Sequence, residues 1–247
     1  MKIQLIFLFF FVFITIYGQE IETDRPDQTE ATSIVPKKYL QMETGIIHEV
    51  QDKNISSTES EILFKYGIFE RLELRFRTAY SSQNFYDEKT NEFAPLAFGV
   101  KAKISDEQKG FPSISALGHF TMNKWASKNM QTPHHAYDFR FLFSHTLTEK
   151  MGLGYNIGIE WNGENQKYLG LYTLSFSYSL TSKTGIFAEK YGFFSKNNAA
   201  DNRINFGVTH LINSNFQADA SSGIGLSSSS PDYYMAAGIS YRFTTQK

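Results

Sequence analysis

From Tyr39 to Phe243 the chain alternates bulky apolar residues with polar or charged ones, in segments separated by turn-forming clusters. In Leu72–Tyr80, the residues Leu72, Leu74, Phe76, Thr78 and Tyr80 share one face, and Glu73, Arg75, Arg77 and Ala79 share the other. A period of two is the signature of a β-strand with two unlike surroundings. The pattern predicts strands at Tyr39–His48, Thr58–Tyr66, Leu72–Tyr80, Leu96–Ile104, Pro112–Phe120 and Ala136–Thr146. A second set follows at Met151–Trp161, Tyr168–Leu180, Gly185–Phe194, Asn202–Leu211, Phe216–Leu226 and Tyr233–Phe243. Tight connections alternate with longer, more polar ones such as Ser81–Pro95 and Thr121–His135. The predicted fold is all-β: a transmembrane, antiparallel, up-and-down β-barrel of about 12 strands.

Alternation alone does not say which face points outward, because a soluble barrel or sandwich alternates too. The apolar faces are heavily aromatic, as in Tyr137, Phe139, Phe141 and Phe143, and the polar faces carry consecutive charges. An arginine facing mid-bilayer lipid costs about 2–4 kcal/mol. The charges are therefore expected to line a lumen: Glu73, Arg75, Arg77, Lys101, Lys103, Asp138, Arg140, Asn156, Glu160, Arg203 and Asn205. Such a lining serves equally as a salt-bridge network or as a selectivity device. In Gly185–Phe194 the residues Phe187, Glu189 and Tyr191 share a face, so the orientation of that strand is open.

The amino terminus has a different pattern. Lys2 is followed by ten consecutive apolar residues, Leu5–Ile14, and by the small residue Gly18. This is a signal peptide over residues 1–18, too short for a transmembrane helix, which takes about 20 residues. Residues 19–38 form an acidic segment, 39–243 the barrel and 244–247 a tail. Export without a single cysteine leaves stability to strand pairing and burial. With 24 basic against 25 acidic residues and no basic block, nucleic acid is not an expected partner. The expected surroundings are the lipid of a Gram-negative-type outer membrane.

Glu20–Glu30, followed by Val35-Pro36-Lys37-Lys38, does not alternate. One reading is a disordered acidic tail. The other is an ordered lumen plug whose Glu22, Asp24, Arg25, Asp27 and Glu30 meet cations such as Arg75, Arg77 and Arg140. The run Glu22-Thr23-Asp24-Arg25-Pro26-Asp27, then Thr29-Glu30, Val35-Pro36-Lys37 and Gln41-Met42-Glu43-Thr44-Gly45, resembles the outer-membrane transporter family named for the meta-pathway of phenol degradation. Leu72-Glu73-Leu74-Arg75, Phe98-Gly99-Val100-Lys101 and Gly238-Ile239-Ser240-Tyr241-Arg242-Phe243 are similar to it as well. Glycine is common in the family where this chain has Lys38. The resemblance implies an outer-membrane barrel assigned to transport, implies no catalytic residues, and favours the ordered reading of the segment.

Catalytic patterns are sparse. His134-His135 precedes Asp138 near a rim, where a His/Asp pair could activate water in a barrel hydrolase. No G-x-S-x-G elbow, phosphate-binding glycine loop or sufficient metal-ligand cluster accompanies it. The expectation is a non-enzymatic channel or transporter without cofactor or metal, passing a small molecule, with hydrophobic and aromatic solutes among the candidates. A structural or ligand-binding barrel and a rim hydrolase are the alternatives. The oligomeric state is open.

Overall fold

The computed structural model describes residues 20–86, 88–165, 167–196 and 199–245; the expected signal peptide lies outside them. The strands are β1 (Tyr39–Asp52), β2 (Ile55–Phe69), β3 (Leu72–Phe85), β4 (Glu88–Phe93), β5 (Ala97–Ser105), β6 (Ser113–Thr121) and β7 (Ala136–Thr148). They continue with β8 (Met151–Trp161), β9 (Tyr168–Ser179), β10 (Thr184–Phe194), β11 (Asp201–Asn213), β12 (Phe216–Gly225) and β13 (Tyr233–Thr244). Neighbours in sequence pair antiparallel except β4 and β5, β1 pairs with β13, and β3 pairs with both β2 and β5. Twelve strands thus close into a barrel, which leaves no edge to be satisfied in hydrocarbon.

The thirteenth strand is β4, in the segment expected to be the Ser81–Pro95 loop. It pairs only with the distal part of β3, from Tyr80↔Phe93 to Phe85↔Glu88. Here β1, β2 and β3 reach 14, 15 and 14 residues, longer than their predicted apolar cores. Beyond the aromatic belt the sequence keeps its strand-compatible Ser, Thr and Asn residues, and ladder hydrogen bonds extend the strands out of the barrel. The polar residues that suggested loops are instead the wet ends of hairpins. The Thr121–His135 connection does contain a loop, with one short 3-10 turn at Lys128–Met130.

The burial pattern is that of a soluble protein turned inside out. Glu73 and Lys101 are fully buried at 0% exposure, while Phe139 and Phe141 on the other face are about 40% exposed. Outward aromatic side chains form cross-strand ladders, such as Phe64–Phe76–Phe98 with ring centroids 6.4 and 5.3 Å apart. The open orientation of β10 is decided by its register: Glu189 lies opposite Ser175 and Asn205, so Phe187, Glu189 and Tyr191 point inward. Lys190 then points outward, exposed between Leu174 and Ile204 in the middle of an apolar face.

Candidate functional site: the lumen and the N-terminal segment

Strand pairing places cations side by side on the inner wall. Lys65 of β2 lies directly opposite Arg75 of β3, and Lys101 of β5 lies opposite Glu73. Like charges facing one another across a ladder repel. The N-terminal segment relieves this. Asp24 accepts hydrogen bonds from Lys65 Nζ at 2.8 Å, Arg75 Nη2 at 3.1 Å and Lys101 Nζ at 3.0 Å. Its backbone N–H donates to Glu43 of β1 at 3.0 Å, and its Oδ1 accepts from the Ala31 N–H at 2.9 Å. Glu30 takes a second hydrogen bond from Arg75 at 2.7 Å. Burial by itself would raise the Asp24 carboxyl, but Lys101, Lys65 and Arg75 outweigh it and hold the group well below the usual carboxylate range.

The segment is also bound to the opposite wall. Glu189 accepts from the Gln28 N–H at 3.0 Å and from the Thr29 hydroxyl at 2.7 Å, and Asn205 Nδ2 donates to Glu189 at 3.2 Å. Asn156 of β8 mimics a strand partner: its Oδ1 accepts from the Glu30 N–H at 2.8 Å and its Nδ2 donates to the Glu30 carbonyl at 3.1 Å. A third attachment is made by Arg25, whose Nη2 donates to Asp219 of β12 at 3.1 Å. Its guanidinium lies over the cross-strand pair Gly45↔Gly238, where a Cβ on either glycine would come within 2.2–2.6 Å of guanidinium atoms. Glycine is needed there for the closeness of the approach. Both ends of the segment return to the short-turn end of the barrel: the Ile21 N–H donates to Ser214 O, and Lys37 bridges to Gly67.

The eleven inward residues expected from the sequence occupy three regions. Glu73, Arg75, Lys101, Asn156 and Asn205 contact the segment or the residues that hold it, Glu73 by accepting from the Val35 N–H at 2.8 Å. Arg77 reaches Glu61 at 4.0 Å and Arg140 reaches Asp138 at 3.9 Å, so of the three arginines expected to meet the segment only Arg75 hydrogen-bonds it. Both are longer contacts on the wall toward the long-loop end, where Glu160 sits opposite Asp138. Arg203 is bound to Asp201 and Glu49 at 2.8 and 2.6 Å, and Lys103 to Asp106 at 3.4 Å. The sequence reading missed Lys65, Glu43, Asp219 and Glu189. The first three were readable as polar positions on alternating faces; Glu189 was hidden by its apolar neighbours.

The segment lies between lumenal cavities. Toward the short-turn end is one of about 460 Å³, reaching from Ile21 and Pro26 to Ser177, Phe187 and Thr209. Toward the long-loop end are cavities of about 300 Å³, lined by Glu49, Glu59, Glu61 and Arg77, and about 210 Å³, lined by Arg140, Glu160 and Phe193. The rim pair of His135 and Asp138 on which the hydrolase alternative rested does not form. Asp138 faces inward and is bonded to His119 Nδ1 at 3.0 Å, while the His135 ring packs 4.8 Å from Phe120 and its Nδ1 accepts from the Asn123 N–H. His119 Nε2 has no hydrogen-bond partner among the described residues and lies against Gly99.

A closed antiparallel barrel with lipid-compatible aromatics outside and a charged, partly filled lumen defines a transmembrane β-barrel of the outer-membrane type. Residues 23–243 match the family described as "Putative MetA-pathway of phenol degradation", and the chain belongs to that family. No curated protein matches the sequence significantly. Among solved structures, the chain is similar to an outer membrane channel from Pseudomonas putida F1, at 12% identity and a TM-score of 0.71, covering 91% of this chain and 100% of that one. It is similar to the KdgM porin at 12% identity and a TM-score of 0.57, covering 81% and 99%. The NanC porin is similar at 9% identity and a TM-score of 0.58, covering 82% and 98%. At these identities the likeness is one of fold.

Proposed function

We propose that the mature chain is an outer-membrane channel that passes a small solute, with residues 20–38 acting as a plug that narrows the lumen. The observation that carries this reading is the position of the segment: it is hydrogen-bonded to opposite walls at Asp24 and Thr29, with cavities on either side. A lumen filled only for stability would need no spaces flanking its filling. The family and the outer-membrane channel and porin folds it shares support the same reading. Solute passage involves no turnover in this reading, and the partners are outer-membrane lipid and the solute.

The test is single-channel conductance in planar bilayers of the refolded mature protein, beside a variant lacking Glu20–Lys37. Discrete steps that grow on truncation are expected. Silence from both, with folding verified by heat-modifiable gel migration, would mean a sealed barrel and would overturn the proposal.

A further inference from the structure

Lys190 of β10 does not suit the surface it stands on. It is exposed on the outward face, with Leu174 directly opposite on β9 and Ile204 on β11. Among the described residues it has neither a hydrogen bond nor an ion pair. The acids nearest to it in the wall supply no counter-charge, since Glu189 faces the lumen and Asp201, at the start of β11, is bound to Arg203. An ammonium without a partner is costly in hydrocarbon.

The residues around Lys190 form a groove with an apolar floor and a polar head. Ala188 pairs with Phe176 on one side and Phe206 on the other, so a small residue lies between two exposed rings. Two positions beyond Lys190, toward the long-loop end, Gly192 pairs with Tyr172 and Asn202. There the Tyr172 hydroxyl donates to Asn202 Oδ1 at 2.6 Å. A Cβ on Gly192 would come within 2.8 Å of that oxygen and 2.9 Å of the Tyr172 ring, so the glycine is what lets the bond cross the strand. Asn202 Nδ2 donates to Ser227 Oγ at a long 3.3 Å, and its second N–H has no acceptor among the described residues. Just past the end of β10 stands Lys196, exposed and likewise unpaired among the described residues.

Polar groups at one end and rings below match a lipid laid along the wall. Two residues of strand advance about 7 Å. A lysine stem covers that distance, so the ammonium can reach the level of Tyr172 and Asn202 while its methylenes stay on apolar surface. The long-loop end of such a barrel faces the outer leaflet. A second copy of the chain is a poorer match, because Glu43, Glu61, Glu73, Asp138, Glu189 and Asp219 of the barrel wall all face the lumen. We propose that Lys190, Asn202 and Lys196 hold the phosphate of an outer-leaflet lipid, one of whose acyl chains lies over Ala188 between Phe176 and Phe206. The site is on the outside of the barrel and does not depend on conduction through it.

The test is native mass spectrometry of the full mature protein in detergent, titrated with phosphatidic acid, phosphatidylcholine and glycerol 3-phosphate. Phosphatidic acid is expected to bind tightest, since phosphatidylcholine has no net charge and glycerol 3-phosphate has no acyl chains. Lys190→Gln should weaken its binding at least about tenfold, the worth of one charge-assisted hydrogen bond, and Lys196→Gln about fivefold. Lys190→Arg should retain binding, Ala188→Trp should weaken it by filling the floor, and Lys183→Gln, at the short-turn end, should leave it unchanged. Heat-modifiable migration verifies that each variant folds. In urea unfolding, Lys190→Leu should stabilise the barrel in phosphatidylcholine vesicles and lose that advantage when the vesicles contain phosphatidic acid. Glycerol 3-phosphate binding as tightly as phosphatidic acid would mean a site for free phosphate, and an equal loss in Lys183→Gln would mean general surface charge. A Lys190→Leu barrel less stable in phosphatidylcholine alone would mean a protein partner such as a second copy. Each of these, or binding indifferent to Lys190→Gln, would overturn the assignment.

Discussion

Replacing Asp24 by Asn tests the central attachment of the segment. The carboxylate accepts hydrogen bonds from Lys65, Arg75 and Lys101, all of them buried. Asparagine keeps one acceptor oxygen and turns an NH₂ group toward three cations. Charge-assisted hydrogen bonds contribute about 1.5–3 kcal/mol each. Their simple sum is an upper bound here, because the three share one carboxylate and Glu30, Glu43 and Glu73 still face the same cations. Breaking one buried ionic arrangement costs about 3–5 kcal/mol, and that range is the expected loss in docking. It corresponds to a rise in the undocked population of about 10²-fold to about 4 × 10³-fold. The absence of cysteine gives a clean assay: Thr32→Cys, at a side chain that docking buries, is labelled with a water-soluble thiol reagent in both backgrounds. Faster labelling and larger conductance steps are expected for Asp24→Asn. A folded Asp24→Asn barrel with unchanged labelling and conductance would refute the idea that this cluster holds the segment.

Three further outcomes are expected. Lys38 has φ of 66°, in the left-handed region where a Cβ costs about 1–2 kcal/mol, so Lys38→Gly should raise stability by about 1 kcal/mol in urea unfolding from lipid. Lys190→Leu should stabilise the barrel in the same assay by up to about 2–4 kcal/mol, the full value applying if its side chain sits at the bilayer midplane and less if the ammonium reaches an interface. Burial and then the neighbouring Glu189 charge push the Asp27 carboxyl well above its usual range. A group whose folded pKa is raised stabilises fully below its unfolded value, about 3.9, and loses that contribution as pH climbs through the folded one. Docking of the segment tip should therefore weaken as pH rises. Hydrogen exchange of the Gln28 amide, corrected for its intrinsic pH dependence, should lose protection over that window in the wild type and not in Asp27→Asn.

The alternation of Leu72–Tyr80 or Tyr137–Phe143 determined strand identity, and the cost of an arginine in lipid determined which face pointed inward. Those are local properties: a side chain's neighbours two residues away share its face whatever the rest of the chain does. The boundaries of β1 to β4 were less accessible, because Ser, Thr and Asn beyond the apolar core suit a loop and a protruding hairpin equally, and only pairing with the next strand decides between them.

The sequence also marked Asp24, Arg25 and Glu30 as residues in search of partners. Which partners they found depended on register across strands far apart in the chain: Asp24 meets cations from β2, β3 and β5 at once, and Arg25 meets Asp219 across Gly45 and Gly238. β10 was the case where the pattern was silent, since Phe187, Glu189 and Tyr191 suit neither lipid nor water as a set. Its pairing with Ser175 and Asn205 turned that face inward, where Glu189 could receive Gln28 and Thr29, and left Lys190 facing outward. Local pattern, by itself, determined what each strand needed; barrel closure and the segment folded inside it decided how a buried charge was answered.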